Sequence, residues 1–234
     1  MKAESRTAFF STLLLFSLIS TACKEDDSAL LMPPTIYGFG IDINDLALSH
    51  IHEDKLFREF GQPITLPDGS VKLLFHPEFY LPMGYKVKAV SEGEVVQIDV
   101  LDNEQDLNLM VRPDDAPAWR VAYEHVSNVT VQVGDRISIG QEIAEVSPYS
   151  PFSPNLGKTS ILIFYGAETR KRGGNVAHCP FLLLHESVEM QLLSDLQNHI
   201  TNWETENGPI FDQNGWVEVG CAVEQLTEAE AAAH

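Results

Sequence analysis

The sequence predicts a mainly β domain, a small antiparallel β-sandwich or barrel, followed by one C-terminal helix. Short runs that alternate apolar and polar residues fill the region from 85 to 165, and turn signals such as Glu92-Gly93 and Gly134-Asp135 separate them. Strands of this length and spacing are typical of antiparallel sandwiches and barrels. The predicted strands contain Val87 and Ala89 and residues 95–100, 107–111, 119–125 and 159–165.

The hydrophobic period changes after residue 186, and this change predicts the helix. Leu192, Leu193, Leu196, Ile200 and Trp203 fall on one face of a helix. We expect that face to pack against the sheet. The tail over residues 227–234 is rich in alanine and glutamate, and we expect it to fray or to add a last helical turn.

The amino terminus predicts export. Lys2 and Arg6 precede an apolar run over residues 8–19, and small residues lead from it to Cys23. The run is shorter than the roughly 20 residues of a membrane span, so residues 1–22 read as a signal peptide. The small residues before Cys23 resemble the lipobox of bacterial lipoproteins, in which that cysteine is lipidated. Cleavage beside Cys23 without lipidation is the alternative.

These signals divide the chain into four parts. Residues 1–22 form the signal peptide and residues 23–35 a polar tether. Residues 36–186 form the β domain with an N-terminal extension, and its core runs from about 60 to 184. Residues 187–234 form the C-terminal helix and tail. We therefore expect a lipoprotein of the bacterial cell envelope, facing the periplasm or the outside.

The charge of the chain limits the kinds of partner that it can bind. The chain carries 15 Lys and Arg against 34 Asp and Glu, a formal net charge of -19. So much negative charge repels nucleic acid and anionic lipid headgroups, which leaves the lipid anchor as the expected membrane contact.

Cys179 and Cys221 are the two cysteines besides Cys23. An even pair in an exported chain predicts a disulfide, and two unrelated free thiols are the alternative.

Two segments share a rhythm of strand, glycine turn and strand. They are residues 83–96, with Gly84 and Gly93, and residues 131–144, with Gly134 and Gly140. This pattern resembles the LytM or lysostaphin-type peptidoglycan endopeptidase family, over about residues 60 to 184. The resemblance implies that family's small β domain and a role at peptidoglycan.

The same resemblance points to a degraded metal site. The family holds zinc through an H-x-x-x-D motif and the second histidine of an H-x-H motif, and a catalytic zinc keeps an open position for water. Alignment places Glu78 at the aspartate and Leu74 at the first histidine. The H-x-H strand aligns with residues 161–164, so Ile161 and Ile163 stand at the histidine positions. Glutamate can bind zinc, but leucine and isoleucine cannot.

One catalytic motif persists, since Tyr123-Glu124-His125 matches the family's Y-x-H. The resemblance implies that His125 is a vestige of the histidine that supports the attacking water. Strict alternation along a strand would place Tyr123 and His125 on one face, looking with Ile161 and Ile163 into the cleft. The alternative for His125 is a half-buried histidine bonded to a backbone carbonyl.

Three hypotheses follow. The first is a pseudoenzyme without a cofactor that binds peptidoglycan or a cell-wall hydrolase. The second is an active zinc endopeptidase whose metal site is rebuilt from His76, Glu78 and His125, because His76 lies on the same side of an extended strand as Glu78. The third is a structural or partner-binding lipoprotein that uses the flanks of the domain. His50-Ile51-His52 reads as a solvated turn or helix face.

Overall fold

The computed structural model describes residues 32–46, 56–66, 68–101, 103–150, 153–166 and 176–232. The predicted signal peptide, Cys23 and His50-Ile51-His52 lie outside these residues. No helix within the described ranges combines the length and the hydropathy that crossing a membrane requires.

The described residues form thirteen strands, two α-helices and three 3-10 helices. The strands are β1 (Phe57–Arg58), β2 (Pro63–Thr65), β3 (Val71–Leu73), β4 (Glu78–Pro82), β5 (Lys86–Lys88), β6 (Gly93–Val100), β7 (Leu107–Pro113), β8 (Trp119–Ser127), β9 (Arg136–Ile137), β10 (Glu142–Ser150), β11 (Ser153–Tyr165), β12 (Val176–His178) and β13 (Gln225–Thr227). The α-helices are α1 (Glu186–Asn207) and α2 (Glu228–Ala232), and the 3-10 helices are Ile43–Asp45, Pro180–Leu183 and Gln213–Gly215.

Eleven strands form one antiparallel sheet, and β2 and β3 form a separate hairpin. The main strand order is β1-β4-β11-β10-β8-β7-β6-β9, with β5 on β10, β12 on β11 and β13 on β12. The long strand β11 pairs with β4 and then β12 along one edge, and with β10 and then β8 along the other. The expected mainly β antiparallel fold with a C-terminal helix is confirmed.

One face of the sheet carries much of the core. Ile161 on β11 pairs with Tyr123 on β8, and Tyr123 pairs with Leu109 on β7. Directly paired residues of antiparallel strands point to the same side. Each of these side chains is buried, as is Ile163, which lies two residues further along β11 on the same face. We call this apolar layer the core face. Polar side chains that cross the sheet lie on the opposite face.

Helix α1 begins and ends at defined caps. The Nδ1 atom of His185 accepts a hydrogen bond from the Ser187 backbone N–H at 3.1 Å, which satisfies one donor of the first turn. Gly208 follows the last turn with φ 91°, a conformation that glycine adopts without strain. Leu196 and Ile200 are fully buried, so the predicted apolar face packs inward, but the main neighbour of α1 is the 3-10 helix Ile43–Asp45 rather than a strand of the sheet.

The chain after α1 returns to the sheet, which the sequence did not predict. Strand β13 pairs with β12, and the short helix α2 then supplies the expected last helical turn. Cys179 and Cys221 form a disulfide with Cα atoms 6.0 Å apart, closing a sequence separation of 42. This confirms the predicted pairing. Such a loop closure contributes about 4 kcal/mol by restricting the unfolded chain.

Candidate functional site

A row of polar residues crosses the sheet on the face opposite the core face. Arg58 pairs with Glu78, Glu78 with Ser160, Ser160 with Glu124, and Glu124 with Asn108. These five residues, the polar row, lie on five adjacent strands and share one face because each is directly opposite the next. The four from Glu78 to Asn108 are buried. Burying polar groups is costly unless they are hydrogen-bonded; within the described residues, Ser160 Oγ and the side-chain amide of Asn108 have no hydrogen-bond partner.

Glu78 is held by cations. Its Oε2 atom accepts hydrogen bonds from Arg58 and from the Tyr80 hydroxyl, each at 3.2 Å, and Lys158 Nζ lies 3.8 Å from its Oε1 atom. Burial raises the pKa of Glu78, but Lys158, His76 and Arg58 lower it by more, to about 2. The Glu78 side chain is therefore a carboxylate at any physiological pH.

His76 is bonded to the next carboxylate of the row. Its Nε2 atom lies 3.2 Å from Glu124 Oε2. Burial lowers the pKa of His76, and the nearby charges of Glu124 and Glu78 only partly oppose that effect. The imidazole is therefore neutral at pH 7, and its Nε2–H donates to Glu124. Its Nδ1 atom is buried and has no hydrogen-bond partner among the described residues.

His125 faces the polar row through a β-bulge. Leu107 pairs with Val126 and Asn108 with Glu124, which leaves His125 as the extra residue. Its φ of 56° is left-handed, and such a bulge re-aims a side chain. Its Nδ1 atom lies 3.0 Å from Asp106 Oδ1. Burial raises the pKa of Asp106, but this hydrogen bond and charge from His125 lower it overall.

Two expectations about His125 are thereby corrected. It does not share a face with Tyr123, whose hydroxyl accepts a hydrogen bond from the Val90 N–H at 2.8 Å on the core face. His125 instead lies close enough to Glu78 to lower the pKa of that carboxyl. Its partner is the carboxylate of Asp106 rather than a backbone carbonyl.

Ile161 and Ile163, the predicted H-x-H positions, do not share the face of Glu78. Ile161 and Ile163 lie on the core face. Ile161 packs closely beside Gly40, since a Cβ atom added to Gly40 would lie 3.3 Å from Ile161 Cδ1. A shift of one residue exchanges the two faces of a strand. Ser160 and Leu162 of β11 share the face of Glu78, as does Lys158. Leu74 is buried, and its backbone bonds to Gln62 and Gly61.

The donor set does not fit a catalytic zinc ion. Such an ion needs three protein ligands, and no group of three His, Cys, Asp or Glu among the described residues could hold a metal. His76, Glu78 and His125 come together on one face, where His76 contacts Glu124, Glu78 contacts Arg58 and His125 contacts Asp106. The described residues thus show no metal-binding group at His76, Glu78 and His125, and the rearranged zinc site stays a prediction.

Residues 78–157 match the model of peptidase family M23. The chain contains an M23 peptidase-like domain. The matched segment includes Glu78, Glu124 and His125 of the site. It leaves Arg58, His76 and Lys158 outside, and those residues supply the hydrogen bonds and charges that hold the two glutamates. No curated protein has a sequence that matches this one.

Several solved structures resemble the M23 peptidase-like domain. The catalytic domain of the antimicrobial peptidase lysostaphin from Staphylococcus simulans is 19% identical, with a TM-score of 0.41, over 54% of this chain and 86% of that chain. LytU is 24% identical, with a TM-score of 0.40, over 48% of this chain and 74% of that one. The SpoIIQ–SpoIIIAH pore forming complex contains a chain that is 14% identical, with a TM-score of 0.43, over 66% of this chain and 94% of that one.

Sequence reasoning missed four charged members of the site. They are Arg58, Asp106, Glu124 and Lys158. The one available signal was Glu124, the middle residue of the Y-x-H match, which alternation places on the face opposite Tyr123. Strand pairing brings Arg58 and Lys158 to the site, and the turn between β6 and β7 brings Asp106 to it. The other histidines among the described residues lie elsewhere: His178 packs edge-on against Trp119 at 5.1 Å, His185 caps α1, and His199 lies within α1.

Proposed function

We propose that the M23 peptidase-like domain is a non-catalytic module of the bacterial cell envelope that binds or regulates the cell-wall machinery, with a cell-wall hydrolase as the favoured partner. Peptidoglycan itself is the second partner of this proposal. The observation that carries it is the state of Glu78, the one residue at a predicted ligand position that could bind zinc. Arg58 and Lys158 already neutralise its carboxylate.

Electrostatics explain why these cations oppose a metal. Two unit charges 4 Å apart interact by about 4 kcal/mol at an effective dielectric constant of 20. A divalent ion on Glu78 would face such repulsion from Lys158 and from Arg58. Nor would Ser160 or Leu162, on the same face, offer the imidazole that the family uses. In this proposal the polar row stabilises the sheet and does not hold a metal ion.

The location belongs to the same proposal. M23 peptidase-like domains are typical of the cell wall and of extracellular proteins, in agreement with the predicted signal peptide over residues 1–22. The proposal adds that Cys23 is lipidated and holds the domain at a membrane. A domain tethered in this way would meet cell-wall hydrolases at the surface where they act.

The deciding experiment measures zinc and hydrolysis together. The full chain would be purified in a non-ionic detergent, incubated with zinc and dialysed, then analysed for bound metal and for release of peptides from purified peptidoglycan. We expect substoichiometric zinc and no release above a buffer blank. Stoichiometric zinc together with hydrolysis would overturn the proposal. Stimulation of a purified cell-wall hydrolase by the same preparation is the positive result expected.

A further inference from the structure

An acidic groove lies away from the polar row, beside the N-terminal extension. It consists of two adjoining cavities that share Tyr37 and Ile139. The smaller, of about 240 Å³, is lined also by Ser91, Glu92, Asp114 and Asp115. The larger, of about 370 Å³, extends past Asp42 and Asp195. We call the two together the acidic groove.

Carboxylates outnumber cations along this groove. Asp115 accepts a hydrogen bond from the Thr35 backbone N–H at 2.9 Å, which fixes its position, and Asp114 is paired with Arg136. Glu92 is exposed at the rim. Lys88 is the cation lining the larger cavity, against Asp42 and Asp195. On a chain with a net charge of -19, this surface attracts cations and repels anions.

Ser91 is the feature that points to a ligand. Its side chain is only 2% exposed and lines the smaller cavity. Its Oγ atom has no hydrogen-bond partner among the described residues. A buried hydroxyl without a partner is unfavourable, and a donor entering the cavity beside Glu92 would satisfy its oxygen. An ammonium group has the three donors needed to bond this hydroxyl and the neighbouring carboxylates at once.

Tyr37 and Ile139 form an apolar junction between the two acidic ends. Tyr37 is 37% exposed and Ile139 is 40% exposed. The Tyr37 ring is stacked on His185, with centroids 4.6 Å apart, so its orientation is held from the side of α1. An aromatic ring beside carboxylates also attracts a cation through its π-face. The groove thus alternates acidic, apolar and acidic character along its length.

We propose that the acidic groove binds an extended, lysine-containing segment of a partner protein, with one lysine ammonium at Ser91 and Glu92 and an apolar side chain on Tyr37 and Ile139. This inference rests on the proposed function as a binding module and names its partner chemistry. A cationic protein segment fits better than an anionic ligand, because the carboxylates that line the acidic groove repel negative charge.

The test uses the full chain in a non-ionic detergent and a blocked peptide of about six alternating lysine and leucine residues. Isothermal titration of the wild type should show saturable binding that weakens as salt is raised. The double variant Glu92→Gln/Asp115→Asn should bind about tenfold more weakly, since rim and anchor charges are both removed. Ser91→Ala, which leaves every charge in place, should also bind more weakly.

Glu104→Gln is the matched control. Glu104 is exposed and lies beyond the far end of β6 from Glu92, a strand of eight residues or roughly 26 Å. It should bind the peptide as the wild type does, and thermal melts should show every variant folded. Absence of wild-type binding, equal losses for Glu104→Gln and the double variant, or displacement of the peptide by soluble stem peptides would overturn the inference. The zinc and hydrolysis assay would be unaffected by any of these results, so the two proposals fail separately.

Discussion

His76 and Glu124 lie 48 positions apart in the sequence, yet His76 Nε2 lies 3.2 Å from Glu124 Oε2. The contact ties the turn that precedes β4 to the middle of β8. Burial lowers the pKa of His76 despite two neighbouring carboxylates, so the imidazole in this contact is neutral at pH 7. A histidine that could have been a metal ligand is thus part of the packing of the sheet.

Removing the charge of Glu78 should destabilise the domain strongly. Glu78→Gln leaves Arg58 and Lys158 without their shared carboxylate, and breaking a buried ion pair from one side costs about 3 to 5 kcal/mol. Urea unfolding followed by circular dichroism measures the change. Glu104→Gln, at an exposed position, should stay within about 0.5 kcal/mol of the wild type. Equal stability of Glu78→Gln and the wild type would show that the ion pairs are not formed.

Stability should fall as the pH is lowered below 6.5. The folded state holds the pKa of His76 below its ordinary value of 6.5, so the unfolded chain takes up the proton first and gains population. The charges that face His76 come from Glu124, Glu78, His125 and Lys158. Denaturation midpoints between pH 8 and about pH 5.5 should decline in the wild type and decline less in His76→Gln. Parallel curves for the two proteins would contradict this.

Acid should remove a second contribution at lower pH. The pKa of Glu78 is about 2 against an ordinary 4.5, so its carboxylate stabilises the fold above pH 4.5. That contribution, on the order of 3 kcal/mol, is lost as the pH falls from 4.5 towards 2. Asp106, whose pKa is also lowered, adds to the loss in the same direction. In Glu78→Gln the decline below pH 4.5 should be shallower than in the wild type.

Ile163 should behave as a core residue. It is fully buried on the core face, and Ile163→Ala should destabilise the domain by about 2 to 5 kcal/mol, the range for emptying a buried aliphatic site. Val133→Ala, at a position that is 60% exposed, is the control and should change little. A thermal melt of Ile163→Ala that coincides with that of Val133→Ala would mean that the isoleucine is not packed.

Reduction of the Cys179–Cys221 disulfide should cost about 4 kcal/mol, because the unfolded chain regains the freedom of a long loop. Urea unfolding with and without a reductant measures the difference. The Cys179→Ala/Cys221→Ala variant should match the reduced wild type and should not respond to the reductant. A wild type whose midpoint ignores reductant would show that the bond is not formed in solution.

Lipidation of Cys23 predicts a change of fraction. Cys23→Ala should move the protein from the membrane fraction to the soluble fraction, since several acyl chains give stable anchoring at about 0.8 kcal/mol per buried CH₂. The melting temperature of the variant should stay that of the wild type, because the predicted tether lies before the folded domain. Equal membrane retention of the two proteins would count against the anchor.

The fold class and the position of Glu78 were predictable because they depend on local pattern. Alternation and turn signals predicted β6, β7 and β8, and a 3.6-residue period predicted α1. The strand β13 was not predictable, since three residues carry no periodicity and gain their place only by pairing with β12. The two-residue strand β1, which brings Arg58 to Glu78, is another such case.

The sequence by itself determined that the domain is β-rich, that Glu78 is the ligand-type residue left in an M23 pattern, and that Cys179 could pair with Cys221. Only the tertiary structure decided what surrounds Glu78. The bulge at His125 turns its side chain to the other face of the sheet. The register of β11 places Ser160 and Leu162, rather than Ile161 and Ile163, on the face of Glu78. A shift of one residue along a strand reverses every side chain, and the register is set by partner strands far away in the sequence.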